Sequence, residues 1–265
     1  MIIDTHVHIY ELSMGDYAWP PKDSEYYYSF PVKMLTDEAG PSLSGCVVIG
    51  CSDEYELNSC LLEYTRDEPA VCSYIAQIDL ADPDCASYAK RYAAYPKYRG
   101  FRVSSQSALP YADRLPDLLT SGAIVELLGN WKYTAQWKDF IAAHPETTFV
   151  VQHFGGYLFD GQPVPQAYFD FCRDMAALPN TFVKLSGFFT LCRVSPKAMD
   201  PSFYSEAYLA MYNAFGPDRC MYGSDWPVAC APYENCVSLT RELTQEGAQK
   251  VLFETAKRVY RIDTL

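Results

Sequence analysis

Short apolar runs alternate with longer amphipathic stretches along the whole 265-residue chain. Apolar runs bounded by turn residues read as buried strands, and stretches with apolar positions at i, i+3 and i+4 read as helices. This pattern predicts strands at 2–7, 45–50, 71–78, 98–103, 123–128, 148–152, 181–185 and 219–222. Helices are predicted near 54–67, 85–94, 111–120, 134–144, 165–178, 201–215, 233–243 and 245–260. Eight strands, each followed by a helix, fit a single (β/α)8 TIM barrel. The first connection departs from the alternation: 11–34 is rich in Pro, Tyr and Trp and predicts a long ordered loop over the barrel mouth. An open doubly wound sheet is the rival architecture, but no G-x-G-x-x-G follows the first strand. No linker, low-complexity tract or repeat interrupts the chain, so 1–265 reads as one domain.

Composition narrows the partners. Hydrophobic residues make up 49 % of the chain, enough for a large core. A formal net charge of -12 argues against nucleic acid, whose phosphates seek a basic face. An anionic small molecule stays open, because one local arginine can outweigh the global field. The ten cysteines are scattered without a C-x-x-C pair, which predicts reduced thiols and excludes a zinc ribbon. No secretory signal opens the chain and no apolar run approaches a membrane span, so a cytoplasmic location without membrane contact is expected. Nothing in the sequence marks a large apolar interface, and oligomeric state stays open.

The chemistry follows from a rule of barrels: reactive groups gather at the C-terminal ends of the strands. His6 and His8 end the first strand, Arg102 the fourth, His153 the sixth and Asp225 the eighth. Alternate strand residues share a face, so His6 and His8 project the same way with Cα atoms about 6.5 Å apart. Such a pair can hold a cation, serve proton transfer, or sit satisfied in a core. Asp225 lies in Gly223-Ser224-Asp225-Trp226-Pro227, where a carboxylate is either functional or a turn-forming Asx. The fourth histidine, His144, precedes Pro145 and reads as a helix-end or surface residue.

Together, Asp4-Thr5-His6-Val7-His8, Val151-Gln152-His153-Phe154-Gly155-Gly156, Val183-Lys184-Leu185-Ser186-Gly187 and Gly223-Ser224-Asp225-Trp226-Pro227 resemble the amidohydrolase superfamily. The match is nearest to its amidohydrolase-related branch, which includes sugar lactonases and 2-pyrone-4,6-dicarboxylate lactonase. That resemblance implies a (β/α)8 hydrolase opening a small lactone or related ester. It carries active-site roles onto His6, His8, His153 and Asp225. One zinc is implied at His6, His8 and Asp225, with His153 or water completing the shell. Some lactonases of this branch work without a metal, and that alternative stays open. Many members place a lysine on strand four or a histidine on strand five. Here strand four ends in Arg102 and strand five in Leu127-Leu128-Gly129-Asn130, so a two-metal site is not expected.

In that scheme Asp225 is the general base toward water, and His153 orients the water or stabilises the oxyanion. Arg102 is a candidate for gripping the small-molecule substrate, with Arg193 reaching in from a loop and Trp226 and Trp19 walling the pocket. Lys184 reads as a structural lysine paired with a carboxylate inside the barrel. Two rivals remain: a metal-dependent decarboxylase of a small unsaturated or aromatic acid, and a non-catalytic barrel that binds a metabolite. Loss of the strand-five histidine counts against the former.

Overall fold

The period-two alternation of the strands sorts their residues onto two surfaces. In the computed structural model, which describes residues 1–17, 19–119, 122–229 and 231–263, eight strands form. They are β1 (Ile2–Val7), β2 (Leu43–Ile49), β3 (Val71–Gln77), β4 (Tyr98–Ser104), β5 (Ile124–Leu128), β6 (Thr148–Val151), β7 (Thr181–Ser186) and β8 (Cys220–Gly223). All neighbours pair in parallel in the order β1 to β8. The seam between β8 and β1 is drawn together by a parallel bridge between Val7 and Trp226. Two backbone bonds support it: His8 N donates to Trp226 O (2.8 Å) and Asp225 N to His6 O (2.9 Å). The predicted (β/α)8 barrel is the fold.

Inside the barrel, Ile3, Val47, Ile49, Ile75, Ile124, Val150, Phe182 and Met221 pack as one cluster with Phe253, Ala256 and Tyr260 from the C-terminal segment. Residues of opposite parity, such as Val48, Ala76, Phe101, Val125, Phe149 and Leu185, join the outer layer with the helices. The alternation breaks in β1, where it bears on the site. Ile3 belongs to the inner cluster and Val7 to the outer one, although four residues apart on a regular strand share a face. Between Asp4 and Val7, β1 advances three residues while its partner advances two, from Cys46 to Val48. This β-bulge re-aims the strand end and leaves His6 and His8 on the inner face.

The helical layer matches the predicted periodicity with four local differences. The first connection is not a loop to residue 34: a helix runs over Val32–Ala39, opened by Pro31 and burying Val32, Leu35 and Ala39. The stretch 111–120 forms a 3-10 turn (Leu109–Arg114) and a short helix (Leu115–Leu118), because Tyr111 leaves helical geometry. Thr120, the predicted end of that helix, lies outside the described residues. The stretch 134–144 is entered earlier, through Trp131–Thr134, and continues as Lys138–Ala143. The last stretch contains a π-type turn (Lys250–Glu254) before Thr255–Val259, rather than one continuous helix. The nine described cysteines are all free, and seven are buried. Among the described residues no helix is long and apolar enough to cross a membrane.

Candidate active site

At the C-terminal ends of the strands, three imidazoles converge on one oxygen of a fourth side chain. Asp225 Oδ1 lies 3.6 Å from His6 Nε2, 3.6 Å from His8 Nε2 and 3.8 Å from His153 Nε2. The other carboxylate oxygen is engaged: Thr190 Oγ1 donates to Asp225 Oδ2 at 2.6 Å. All four converging residues are almost wholly withdrawn from solvent, His153 being the least covered.

Local backbone geometry aims these groups. Asp225 and His153 have φ of 64° and 50°, a left-handed conformation that non-glycine residues adopt rarely and at a cost. Each lies just past its strand, so the reversal turns the side chain back over the barrel axis. Two glycines make room. A Cβ on Gly187 would stand 2.8 Å from His153 Nδ1, and one on Gly223 would stand 2.8 Å from His6 Cβ. The Ser-Gly and Gly-Ser steps read in the sequence are therefore clearances for two imidazoles.

Hydrogen bonding decides part of the ring chemistry. His8 Nδ1 stands 2.9 Å from the Ile49 carbonyl oxygen, which can only accept. That nitrogen carries the proton, and Nε2 presents a lone pair toward Asp225. His153 Nδ1 bonds Ser186 Oγ at 2.9 Å. Neither nitrogen of His6 has a hydrogen-bond partner among the described residues, although the ring is fully buried. Burial foremost, and then its cationic surroundings, hold the His6 imidazolium well below the ordinary range. Burial likewise pulls His8 and His153 down. Burial alone would push the Asp225 carboxyl up, but His153, His8 and the Thr190 bond outweigh it, and the net shift is downward. At neutral pH the centre is one carboxylate facing neutral imidazoles.

These donors fit a cation. Two donors about 2.0–2.1 Å from a tetrahedral ion stand about 3.3 Å apart, a few tenths of an ångström less than the separations around Asp225 Oδ1. The ligand atoms of His6, His153 and Asp225 all lie within 4.8 Å of one another. This compact trio includes His153 in the place where the sequence suggested His8. His8 reaches the same oxygen from the cavity side. Neutral His6 keeps one ring nitrogen with a lone pair, buried and without a hydrogen bond among the described residues, which is the chemistry a cation ligand needs.

A cavity of about 400 Å³ opens above the centre, with His8, Trp19, Cys51, Arg102, His153 and Asp225 in its wall. The Trp19 ring lies 4.9 Å from the His8 ring, centroid to centroid. Arg102 is 6 % exposed, and its Nε and Nη2 both donate to Gln77 Oε1, at 3.2 and 2.8 Å. Among the described residues no carboxylate stands within ion-pair distance of it.

Six of the residues singled out in the sequence thus meet: His6, His8, Trp19, Arg102, His153 and Asp225. Two do not. Trp226 is outside the cavity wall: its Nε1 donates to Glu38 Oε2 (2.8 Å), its ring packs edge-on against Phe30, and it fills the space between the β8 loop and the first helix. The left-handed turn at Asp225 sends the next side chain outward. Arg193 is exposed, and its Nη1 donates to the Thr190 carbonyl (2.8 Å), bracing the loop that carries Thr190. His144 bonds the Phe140 carbonyl and stacks on that ring, as a helix-end residue does. Lys184 pairs with Glu126 at 2.5 Å inside the barrel. Gln77, Ser186 and Thr190 carry no warning in the sequence beyond position: Gln77 and Ser186 are the last residues of β3 and β7.

Comparison with known proteins agrees with this fold. The chain is 26 % identical over 259 residues to an L-fucono-1,5-lactonase of Burkholderia multivorans, covering 89 % of this chain and 86 % of that protein. An amidohydrolase from Burkholderia multivorans, solved with bound zinc, superposes with a TM-score of 0.85 at 25 % identity over 99 % of both chains. A probable 2-pyrone-4,6-dicarboxylic acid hydrolase from Acinetobacter baumannii, with citric acid bound, shares the fold with a TM-score of 0.78 at 17 % identity over 98 % of this chain and 99 % of that one. Residues 3–262 match the family model described as Amidohydrolase. The chain is a hydrolase and belongs to the amidohydrolase family.

Proposed function

We propose that this enzyme opens a small lactone or related ester with water, and that its cluster holds one zinc ion. The observation that carries this reading is the asymmetry of Asp225: Oδ2 is fixed by Thr190 while Oδ1 faces three neutral imidazoles at the cavity floor. The lactonase relative supports the substrate class, and the zinc-bound relative supports the ion.

Lactone hydrolysis needs an activated water, a stabilised oxyanion and a proton for the departing ring oxygen. Asp225, held ionised, accepts a proton from the attacking water and returns it to the ring oxygen as the acyl–oxygen bond breaks. His6, His153 and Asp225 would hold the ion, with His8 beside them. A bound zinc ion supplies Lewis acidity toward the lactone carbonyl and its developing oxyanion. His8, its proton committed to Ile49, meets the reaction as a lone-pair donor and not as an acid. Ser186 orients the His153 ring. Trp19 offers an apolar wall that excludes water from one side. Arg102, a permanent cation, draws in an oxygen-rich substrate through the donors that Gln77 leaves unused.

A pH-indicator assay over sugar and dicarboxylate lactones tests this, run as purified, after chelation and after zinc is added back. Acid release that falls on chelation and returns with zinc supports the whole reading. Acid release that survives chelation removes the metal and keeps Asp225 as base. Silence on every lactone, with carbon dioxide released from unsaturated or aromatic acids, replaces hydrolysis by decarboxylation.

A further inference from the structure

The catalytic cavity has a neighbour on the same face of the barrel. A second cavity of about 450 Å³ opens beside it over the ends of β3 and β4, and Gln77, Arg102 and Leu128 line both. Each has the volume of a complete small-molecule site. The partition between them is the Arg102–Gln77 pair, so a buried guanidinium whose only hydrogen-bond partner among the described residues is a neutral amide faces both lobes.

The far lobe has its own chemistry. Beyond the partition its wall carries Asp53, Asp79, Ser104, Ser107 and Tyr111. Asp53 makes no ion pair or hydrogen bond among the described residues. Asp79 uses one oxygen to accept from the Ala81 amide (2.9 Å). Tyr111 is backed by the Arg114 guanidinium, 5.0 Å from its ring centre. Two carboxylates repel an anion from this lobe, and an apolar group would leave them without donors. A polyhydroxylated group answers both: its O–H groups donate to the carboxylates and accept from the serine and tyrosine hydroxyls.

We propose that the second lobe is a carbohydrate subsite, taking a glycosyl substituent of a lactone whose ring lies over Asp225, with Arg102 donating to the oxygen that joins them. The preferred substrate class is then a disaccharide lactone rather than a single-ring one. The identity of the reacting ring rests on the lactonase reading; the subsite itself does not, because it is a statement about binding.

Calorimetric titration of the whole enzyme with gluconate and with 4-O-galactosylgluconate separates the two. The disaccharide acid is expected to bind at least about tenfold tighter, and Ser107→Trp, which fills the exposed rim of the lobe, is expected to erase that preference. Asp53→Ala, a second surface change, should reduce it severalfold. Equal affinities in the parent enzyme, no binding of either acid, or a preference that survives both substitutions in folded protein overturns the subsite. Turnover of the two corresponding lactones is measured beside it. A binding preference without turnover removes the lactonase reading and leaves the subsite standing.

Discussion

The Thr190 hydroxyl donates to Asp225 Oδ2 at 2.6 Å, and this single bond makes the two oxygens of the carboxylate inequivalent. One is a fixed acceptor, the other the hub of three imidazoles. Asp225→Asn keeps the shape and removes the base. It should lower kcat/KM by about a thousandfold or more, within the range set by positioned general bases. Thr190→Val removes a bond that favours the ionised form, so the Asp225 carboxyl titrates higher. The acid limb of the pH–rate profile should move upward while the rate above neutrality stays nearly level. An unmoved limb would separate Asp225 from the rate-determining proton transfer.

Gln77 is the neutral partner that leaves Arg102 its full charge. Gln77→Glu supplies a carboxylate at the same place and should quench that charge. KM should rise about tenfold, equivalent to about 1.4 kcal/mol, with kcat changed far less. Thermal melting should not fall. An unchanged KM would remove Arg102 from substrate binding.

Asp4 gives stability an unusual pH dependence. Its Oδ1 accepts from the amides of His6 and Ser224, both at 3.0 Å, and Oδ2 is buried with no hydrogen-bond partner among the described residues. Burial, only partly offset by those bonds, pushes the carboxyl up from 3.8 to about 6. The folded state therefore holds its proton more tightly than the unfolded chain. The contribution is full below about pH 4 and is lost as pH rises through about 6, on the order of 3 kcal/mol in all. The buried histidines act in the opposite sense, their contribution being lost as pH falls below 6.5. Urea unfolding of the parent and of Asp4→Asn from pH 4 to 7 isolates the carboxyl: the difference between the two should change across this window, and a constant difference would refute it.

Glu126 is the counter-ion of a fully buried lysine. Its Oε2 receives both Lys184 Nζ and Gln152 Nε2 at 2.5 Å, and its Oε1 accepts from Tyr260 (2.6 Å). Glu126→Gln strands the ammonium and should cost about 3–5 kcal/mol of stability. Replacing both partners, Glu126→Leu with Lys184→Met, should recover most of that loss. Chemical denaturation of the three proteins checks it, and an additive double variant would deny the coupling.

The eight strands, most of the helices and the residues that meet at the barrel mouth could be read along the chain, because each is encoded locally. Period-two and 3.6-residue patterns depend on neighbours in sequence, and the barrel rule then brings strand ends to one face. The first helix escaped because its short apolar stripe follows a run of aromatic and proline residues.

What only the tertiary structure decided are relationships between distant residues. The bulge in β1 comes from its register against β2, and it sets which way His6 and His8 point. The choice of His153 for the compact trio depends on two left-handed residues and two glycine clearances on different strands. Trp226 left the cavity because Glu38 and Phe30 offered its indole a partner and a packing surface. The sequence by itself determined which residues stand at the mouth of the barrel. Closure of the barrel decided which of them meet, because the distances around Asp225 sum the tilt, register and bulges of every strand between Ile2 and Gly223.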